Sequence, residues 1–368
     1  MRAVWSCFRG LYADNSRSLF EGLRARVPEA EHVWLCNEKT EGSFPAGVRT
    51  VRYPSPAARE ALESADLVVA NDCLSLEWTK QPGTTYVQTW HGTPLKHIHH
   101  DVKQERPGWL DAPDRDVARW DHLLSPNPPS TEPLRHAFRF RGAVHETGYP
   151  RNDRLQSPHA ADIRARTRKK YGIDEGTTAV LYAPTWRDDL VFDSDGPGFE
   201  IEIDLADFAR RLGGDHVLLV RLHSIVSGRL HTDPDLPVVD VTDDADTAGL
   251  YLAADLLVTD YSSAMFDFAI TGKPQLFFTY DLHHYRDELR GFYFDLAEIA
   301  PGPLITTSEE LVGAIPEADT LAAEHADRYA RFRETFCSLE DGHATDRVLD
   351  LLVPPGGTST GPAEEERG

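Results

Sequence analysis

Two stretches of this chain hold candidate functional side chains, one a candidate proton acceptor and the other a candidate phosphate site. The first is residues 86–96, YVQTWHGTPLK. His91 can take a proton near neutral pH, as a general base must. Gly92 beside it has no Cβ, so a ligand or another backbone can come close. The second is residues 256–269, LLVTDYSSAMFDFA. An apolar run ends at Asp260, and Ser262 and Ser263 follow where a helix is expected to begin. Hydroxyls and unpaired N–H groups at a helix start suit a phosphate. Each stretch also has a plainer reading: a histidine satisfied by backbone, and a serine cap with nothing bound.

Other groups belong near the same chemistry. VLLVRLH places Arg221 and His223 on one side of a strand, two residues apart, where both can meet an anion. YAPTWRDD puts Arg187 in a loop after a strand, and RGFYFD does the same for Arg290. An Arg so placed suits phosphate, although pairing with Asp188 or Asp189 would occupy Arg187 equally well. His91, His97, His99 and His100 invite a metal reading, but their spacing matches no zinc pattern, and no Cys or carboxylate pair completes it. Asp243, Asp244 and Asp246 open a helix after a turn, which N-capping explains. No metal and no cofactor is expected, and nothing in the sequence forces a divalent ion. There is no phosphate-binding Walker loop and no GxGxxG.

The elements that must hold these residues alternate along the chain. Strands are expected at residues 3–8, 32–36, 48–53, 66–71, 120–125 and 143–146, with helices at 18–26, 56–64 and 131–138 between them. Residues 90–92 stand where the strand at 86–89 should run into a helix, with Thr93 as its cap and Pro94 at its first position. The pattern repeats with strands at 179–182, 216–222, 238–241, 255–259 and 275–279 and helices at 205–212, 247–254 and 265–271, followed by helices at 308–315 and 321–336. Such alternation predicts an α/β protein with parallel, doubly wound sheets: two Rossmann-like domains facing a cleft. Residues 1–150 form the first domain. The turn-rich GYPRND marks the boundary, residues 151–335 form the second domain, residues 336–353 hold a last helix, and 354–368 are a disordered tail. A basic helix at 163–171 reads as a solvated face, with a patch for anionic lipid headgroups as the sharper alternative.

The chain has 368 residues, 40% of them apolar, and a net charge of −22. That length exceeds one comfortable core. The charge argues against nucleic acid and against a polybasic membrane anchor. Cys7, Cys36, Cys73 and Cys337 are scattered and read as reduced thiols. No signal peptide and no run of about 20 apolar residues is seen, so the expected location is cytoplasmic, with any membrane contact peripheral at the inner face.

Taken together, TWHGTPLK, GYPRND, YAPTWRD, RLH, VTDYSSAMFDFA and RGFYFD resemble the CDP-glycerol glycerophosphotransferase family, the teichoic-acid primases and polymerases of Gram-positive bacteria. GLYADNSRSLFEGL and DGHATDRV are similar to the family's opening and closing segments. The resemblance implies the GT-B architecture with the last helix packed back on the first domain. It implies transfer of glycerol phosphate, or a similar polyol phosphate, from a CDP-activated donor to a polyol-phosphate or lipid-linked glycan acceptor, with release of CMP. It implies His91 as catalytic base, His223 at the donor phosphates, and Asp260, Ser262 and Ser263 along the pyrophosphate. Gly92, Thr93, Arg187, Arg221 and Arg290 complete the expected substrate-binding set. The competing readings are a glycosyltransferase or nucleotide-sugar epimerase of the same architecture using a UDP-sugar, and a non-catalytic binder of a cytidine nucleotide.

Overall fold

The computed structural model of the protein describes residues 1–8, 10–103, 107–185, 187, 201–222 and 233–353. Among these, the apolar runs pair into two wholly parallel sheets. The first contains β1 (Arg2–Ser6), β2 (Glu31–Cys36), β3 (Arg49–Arg52), β4 (Leu67–Ala70), β5 (Thr85–Gln88), β6 (His122–Ser125) and β7 (Ala143–Glu146), in the order β3-β2-β1-β4-β5-β6-β7. Helices α1 (Asp14–Arg26), α2 (Pro56–Glu63), α3 (Asp111–Val117) and α4 (Pro128–Ala137) lie between its strands in sequence. Parallel strands covered on both faces read as continuous apolar runs, which is why LVVA of β4 is buried at all four positions. Local signals set the helix starts. Ser55 accepts from the Ala58 N–H at 3.1 Å ahead of Pro56, and Asn127 accepts from the Ser130 N–H at 3.1 Å ahead of Pro128.

A 3₁₀ turn at Pro150–Leu155 and α5 (Ala160–Lys170) lead into the second sheet. It contains β8 (Thr178–Ala183), β9 (His216–Val220), β10 (Val238–Asp240), β11 (Leu256–Thr259), β12 (Gln275–Phe278) and β13 (Leu304–Ile305), in the order β10-β9-β8-β11-β12-β13. In both sheets the strand order reverses beside the first strand, between β1 and β4 and between β8 and β11. Ligands of open α/β sheets bind at the carboxyl ends flanking such a reversal. Phe8 and Asn71 follow β1 and β4 there. Arg187 and Asp260 follow β8 and β11.

The two halves share a buried cluster. Leu95, from the stretch after β5, packs with Tyr261, Met265, Phe266, Phe277, Tyr285 and Phe336 of the second half. The closing helix Ala344–Leu352 returns to the first domain, where Val348 and Leu349 join Leu19 and Leu23 of α1, and Arg26 donates to Asp350 at 2.5 Å.

Three expectations change. No helix follows Pro94: the chain stays extended, Tyr293 N–H donates to the Leu95 carbonyl at 2.8 Å, and Lys96 bridges Phe292. Burial of Leu95, with an apolar gain of about 1.5–3 kcal/mol for a fully buried leucine, outweighs the local capping signal. The helix expected over 321–336 is two, Ala318–Glu324 and Ala326–Phe336, meeting at His325. The basic helix α5 is a solvated face only in part: Arg166, Lys169 and Lys170 are exposed, while Arg168 is buried. Arg164 and Arg168 both hold Asp255, at 2.5 and 3.1 Å, and Lys170 holds Asp244 at 2.8 Å.

Candidate active site at the domain junction

The elbow after β5 is built on strained backbone. Trp90 has φ +52, in the left-handed region, and its N–H donates to the Gln88 side chain at 2.9 Å. Phe8 and Asp14 also have positive φ, 43 and 60. All three sit around His91: the rings of Trp90 and Phe8 lie 4.0 and 5.1 Å from its imidazole, and Asp14 is joined to the elbow through Arg151. A non-glycine residue held left-handed costs on the order of 1–3 kcal/mol, and such strain collects at functional sites.

His91 is half-buried at the surface of the junction. Its Nδ1 lies 2.5 Å from the Asn71 carbonyl oxygen. A carbonyl can only accept, so Nδ1 carries the proton and Nε2 carries the lone pair, the tautomer a general base requires. The Asn71 side chain in turn accepts from the Phe8 N–H at 2.9 Å, so one residue at the end of β4 sets both the ring and the wall beside it.

Gly92 faces the other domain. A Cβ built there would lie 2.7 Å from Ser263 Oγ and 2.9 Å from Ser263 Cβ. Only glycine lets the two loops come this close, and the contact brings the His91 elbow against the serine pair. Ser262 and Ser263 are partly exposed, and Ser262 Oγ accepts from the Ala264 N–H at 3.3 Å. The helix they precede is short, Ala264–Ala269. Thr93 is buried, its hydroxyl accepting from Asn127 Nδ2 at 3.1 Å.

The remaining expected residues divide. Asp260 lies beneath the loops, 1% exposed, accepting from the Thr185 N–H at 2.7 Å and the Tyr261 N–H at 2.5 Å. Arg187 is also buried. It donates to Asp260 at 2.9 Å and to both oxygens of Asp281 at 2.7 and 2.9 Å, among the rings of Tyr261, Tyr280 and Tyr285. Burial opposes its charge, but Asp260 and Asp281 hold its pKa above the ordinary guanidinium value. Arg221 donates to the Asp244 carbonyl at 2.6 Å and to Thr247 Oγ1 at 3.0 Å, fastening the loop that Asp246 caps. Arg290 is half-buried after the π-turn His284–Leu289. The next residue, Gly291, accepts from the His97 N–H at 3.0 Å, tying this loop to the elbow segment. His223 lies outside the described residues.

GYPRND, read in the sequence as a boundary, is the hub behind the site. Arg151 donates to Asp14 and to the His91 carbonyl at 2.8 Å, and to Asp267 at 2.7 Å. It thereby ties α1, the elbow and the second domain. Burial works against its charge, yet Asp14 and Asp267 hold its pKa well above the ordinary value. Tyr149 OH donates to the Gly92 carbonyl at 3.3 Å, and Asn152 donates to Asp267 at 3.0 Å. Asp153 accepts from the N–H groups of Ala344 and Thr345 at 2.9 and 2.8 Å, capping the closing helix. Gly148, at φ +73, passes so close to the Leu339 carbonyl that a Cβ would lie 2.7 Å from it. Glu340 accepts from the Tyr149 N–H at 3.0 Å, and burial, reinforced by Asp267, pushes its carboxyl up to about 8. Turn-forming residues were the visible signal here. The distant carboxylates that give them work were not.

Against known proteins, the sequence model of the family described as CDP-Glycerol:Poly(glycerophosphate) glycerophosphotransferase matches residues 2–354. The chain is 38% identical over 356 residues to the teichoic acid glycerol-phosphate transferase of Staphylococcus aureus, covering 93% of this chain and 90% of that protein. It is 35% identical over 358 residues to the teichoic acid poly(glycerol phosphate) polymerase of Bacillus subtilis, covering 95% of this chain but only 48%, about half, of that longer protein. The solved structure of the wall teichoic acid polymerase TagF superposes with a TM-score of 0.87 at 34% identity, covering 95% of this chain and 88% of that one. With two Rossmann-like domains, a returning closing helix and these matches over nearly its whole length, the chain belongs to the CDP-glycerol:poly(glycerophosphate) glycerophosphotransferase family.

Proposed function

We propose that this protein transfers glycerol phosphate, or a closely similar polyol phosphate, from a CDP-activated donor to an acceptor hydroxyl in the synthesis of teichoic acid or a related wall or capsule polymer. It is in this reading a phosphotransferase acting on a substituted phosphate and releasing CMP. One observation carries the proposal most directly. The Nδ1–H of His91 is committed to the Asn71 carbonyl at 2.5 Å, and Gly92 beside it abuts Ser263 across the junction. A base tautomer and a pair of hydroxyl donors therefore stand together at the carboxyl ends of both sheets.

The reaction follows from that pairing. The acceptor oxygen attacks the phosphorus bearing the glyceryl group, and His91 Nε2 takes its proton as the new O–P bond forms. The bond from that phosphorus to the bridging oxygen breaks, and its electron pair leaves with CMP. Ser262 and Ser263 donate to the diphosphate as charge shifts onto the leaving phosphate. Arg290 and His223 serve the same anion. Arg187 and Asp260 act one layer behind, holding the loop that presents the serines, and Arg221 fastens the neighbouring Asp244–Thr247 turn. No helix among the described residues is long and apolar enough to cross a membrane.

The test offers CDP-glycerol, CDP-ribitol and UDP-sugars in turn, with soluble and lipid-like acceptors, to the native protein and to His91→Ala. CMP should appear only with a CDP-polyol and an acceptor. His91→Ala should lose on the order of 10²–10⁴-fold of that rate with its circular dichroism unchanged, the span of a general base. Full CMP release by His91→Ala, or consumption of a UDP-sugar in place of a CDP-polyol, would overturn the assignment.

A further inference from the structure

The histidine run after the elbow finds in the fold the carboxylate that the sequence did not supply. His99 and His100 lie in a 3₁₀ turn, His99–Asp101, and Asp114 reaches them from α3. One ring nitrogen from each histidine and one Asp114 oxygen all lie within 4.8 Å of one another. His100 Nε2 is 2.8 Å and His99 Nε2 3.9 Å from the same Asp114 oxygen. An ion held at about 2.0–2.2 Å from nitrogen and oxygen ligands can span ligand pairs up to about 4.2 Å apart. Both of these pairs fall within that reach, and the third needs a shift of well under 1 Å.

The surroundings orient the ligands. His99 Nδ1 meets the Ala137 carbonyl at 3.2 Å, which places the proton on Nδ1. This is the outer-shell bond that commonly fixes a metal-binding imidazole. Its ring packs on Phe138, with centroids 4.9 Å apart, and the side chain is 6% exposed. His99 is also held at φ +49, a rare conformation for a side chain of its size. Asp114, 45% exposed, gives an ion a way in from solvent.

We propose that His99, His100 and Asp114 form a structural site for a borderline divalent ion such as Zn²⁺, two imidazoles and one carboxylate with the remaining positions open to water. The site fastens the segment leaving the elbow to α3 and α4. That segment is already a crossing point, since Asp101 accepts from Tyr293 OH of the second domain at 2.5 Å and pairs with His136 Nδ1 at 2.6 Å. Phe138 links the site to the elbow, packing on His99 on one side and on Trp90 on the other.

The experiment strips the full-length protein with a chelator, then titrates Zn²⁺ by calorimetry and Co²⁺ by visible absorption. His100→Gln and Asp114→Asn are measured alongside, with His145→Gln as a control at a separate histidine pair, where His122 Nδ1 and His145 Nε2 lie 2.9 Å apart. Native protein and the control should bind one ion more than the two site variants, or bind it at least tenfold more tightly. Zn²⁺ should raise the melting temperature of native protein and not of Asp114→Asn. Native protein that takes up no ion after stripping shows a site holding only a proton, and overturns the proposal. Equal number and affinity in native protein and both site variants, each folded by circular dichroism, also overturns it.

Discussion

Replacing Gly92 by Ala tests whether the Gly92–Ser263 approach governs the chemistry. The added Cβ would lie 2.7 Å from Ser263 Oγ and 2.9 Å from Ser263 Cβ, where ordinary contact begins at 3.4 Å. The hydroxyl can rotate away, but the Ser263 Cβ is fixed to backbone, so the loops must part by about 0.5 Å. Gly92 is not in the left-handed region, so alanine adds no backbone strain of its own. Overpacking of this kind costs roughly 1–3 kcal/mol of stability. A misplacement of about 1 Å in a reacting pair can cost 10²-fold, so half that distance next to His91 should lower kcat/KM for CMP release by on the order of tenfold or more. Ser263→Ala leaves the offending Cβ and should not rescue Gly92→Ala. Ser263→Gly removes both contacts, so the double variant should be no slower than Ser263→Gly alone. Losses that simply multiply in Gly92→Ala/Ser263→Gly, or native activity in Gly92→Ala, would refute the idea that this contact sets the geometry.

Arg151→Ala should lose roughly 3–5 kcal/mol in urea unfolding, because Asp14 and Asp267 would be left buried around a missing charge. A loss under about 1 kcal/mol would remove Arg151 from the role of hub. Arg187→Ala should lower the melting temperature as well as the rate, since Asp260 and Asp281 lose their shared partner. A raised KM for donor with native stability would instead make it a substrate ligand. Glu340 carries a folded pKa raised from 4.5 to about 8, so the unfolded chain gives up its proton first and stability falls as pH rises from about 4.5 to 8. Glu340→Gln, which keeps the acceptor for the Tyr149 N–H, should flatten that decline by a few kcal/mol in melts taken from pH 5 to 8.5. Parallel curves for the two proteins would refute the shift.

The alternation of parallel strands and helices was legible because strands buried on both faces have no polar side to disguise them. LVVA and LLVT could scarcely be anything else. The WHG and DYSS stretches were legible for a related reason, since each marks where a buried strand ends in polar or flexible residues. What local reading missed was decided by distant partners. An arginine in a loop looks like an anion ligand until Asp281, 94 positions away, is found to hold it. GYPRND looks like a linker until Glu340, 191 positions on, takes the Tyr149 N–H and Asp267 takes Arg151. Thr93-Pro94 is a sound helix start by its own chemistry, and it fails because residues 95–97 find backbone partners in the second domain. Phe8, Asp14 and Asn71 left no sequence signal of their role at His91. Their contribution lies in backbone conformation and in a main-chain carbonyl.

The charge arrangement bears on how a chain of net charge −22 would handle the anionic donor proposed for it. Among the described residues, Arg151 and Arg187 are each met by two carboxylates, Asp14 with Asp267 and Asp260 with Asp281. A guanidinium so matched has little field left to offer a diphosphate. Its fixed fork geometry is what it contributes, locking one loop of each domain at the junction. Across the junction from Gly92, the hydroxyls of Ser262 and Ser263 are partly exposed. Neutral donors held in place need no reorganisation when charge moves from the bridging oxygen to the leaving phosphate. They also grip the departing nucleotide less firmly than a bare cation would. In the proposed reaction Arg151 and Arg187 build the site, while the serine hydroxyls, with Arg290 and His223, meet the diphosphate, so residues that the sequence placed in one binding set divide between two tasks.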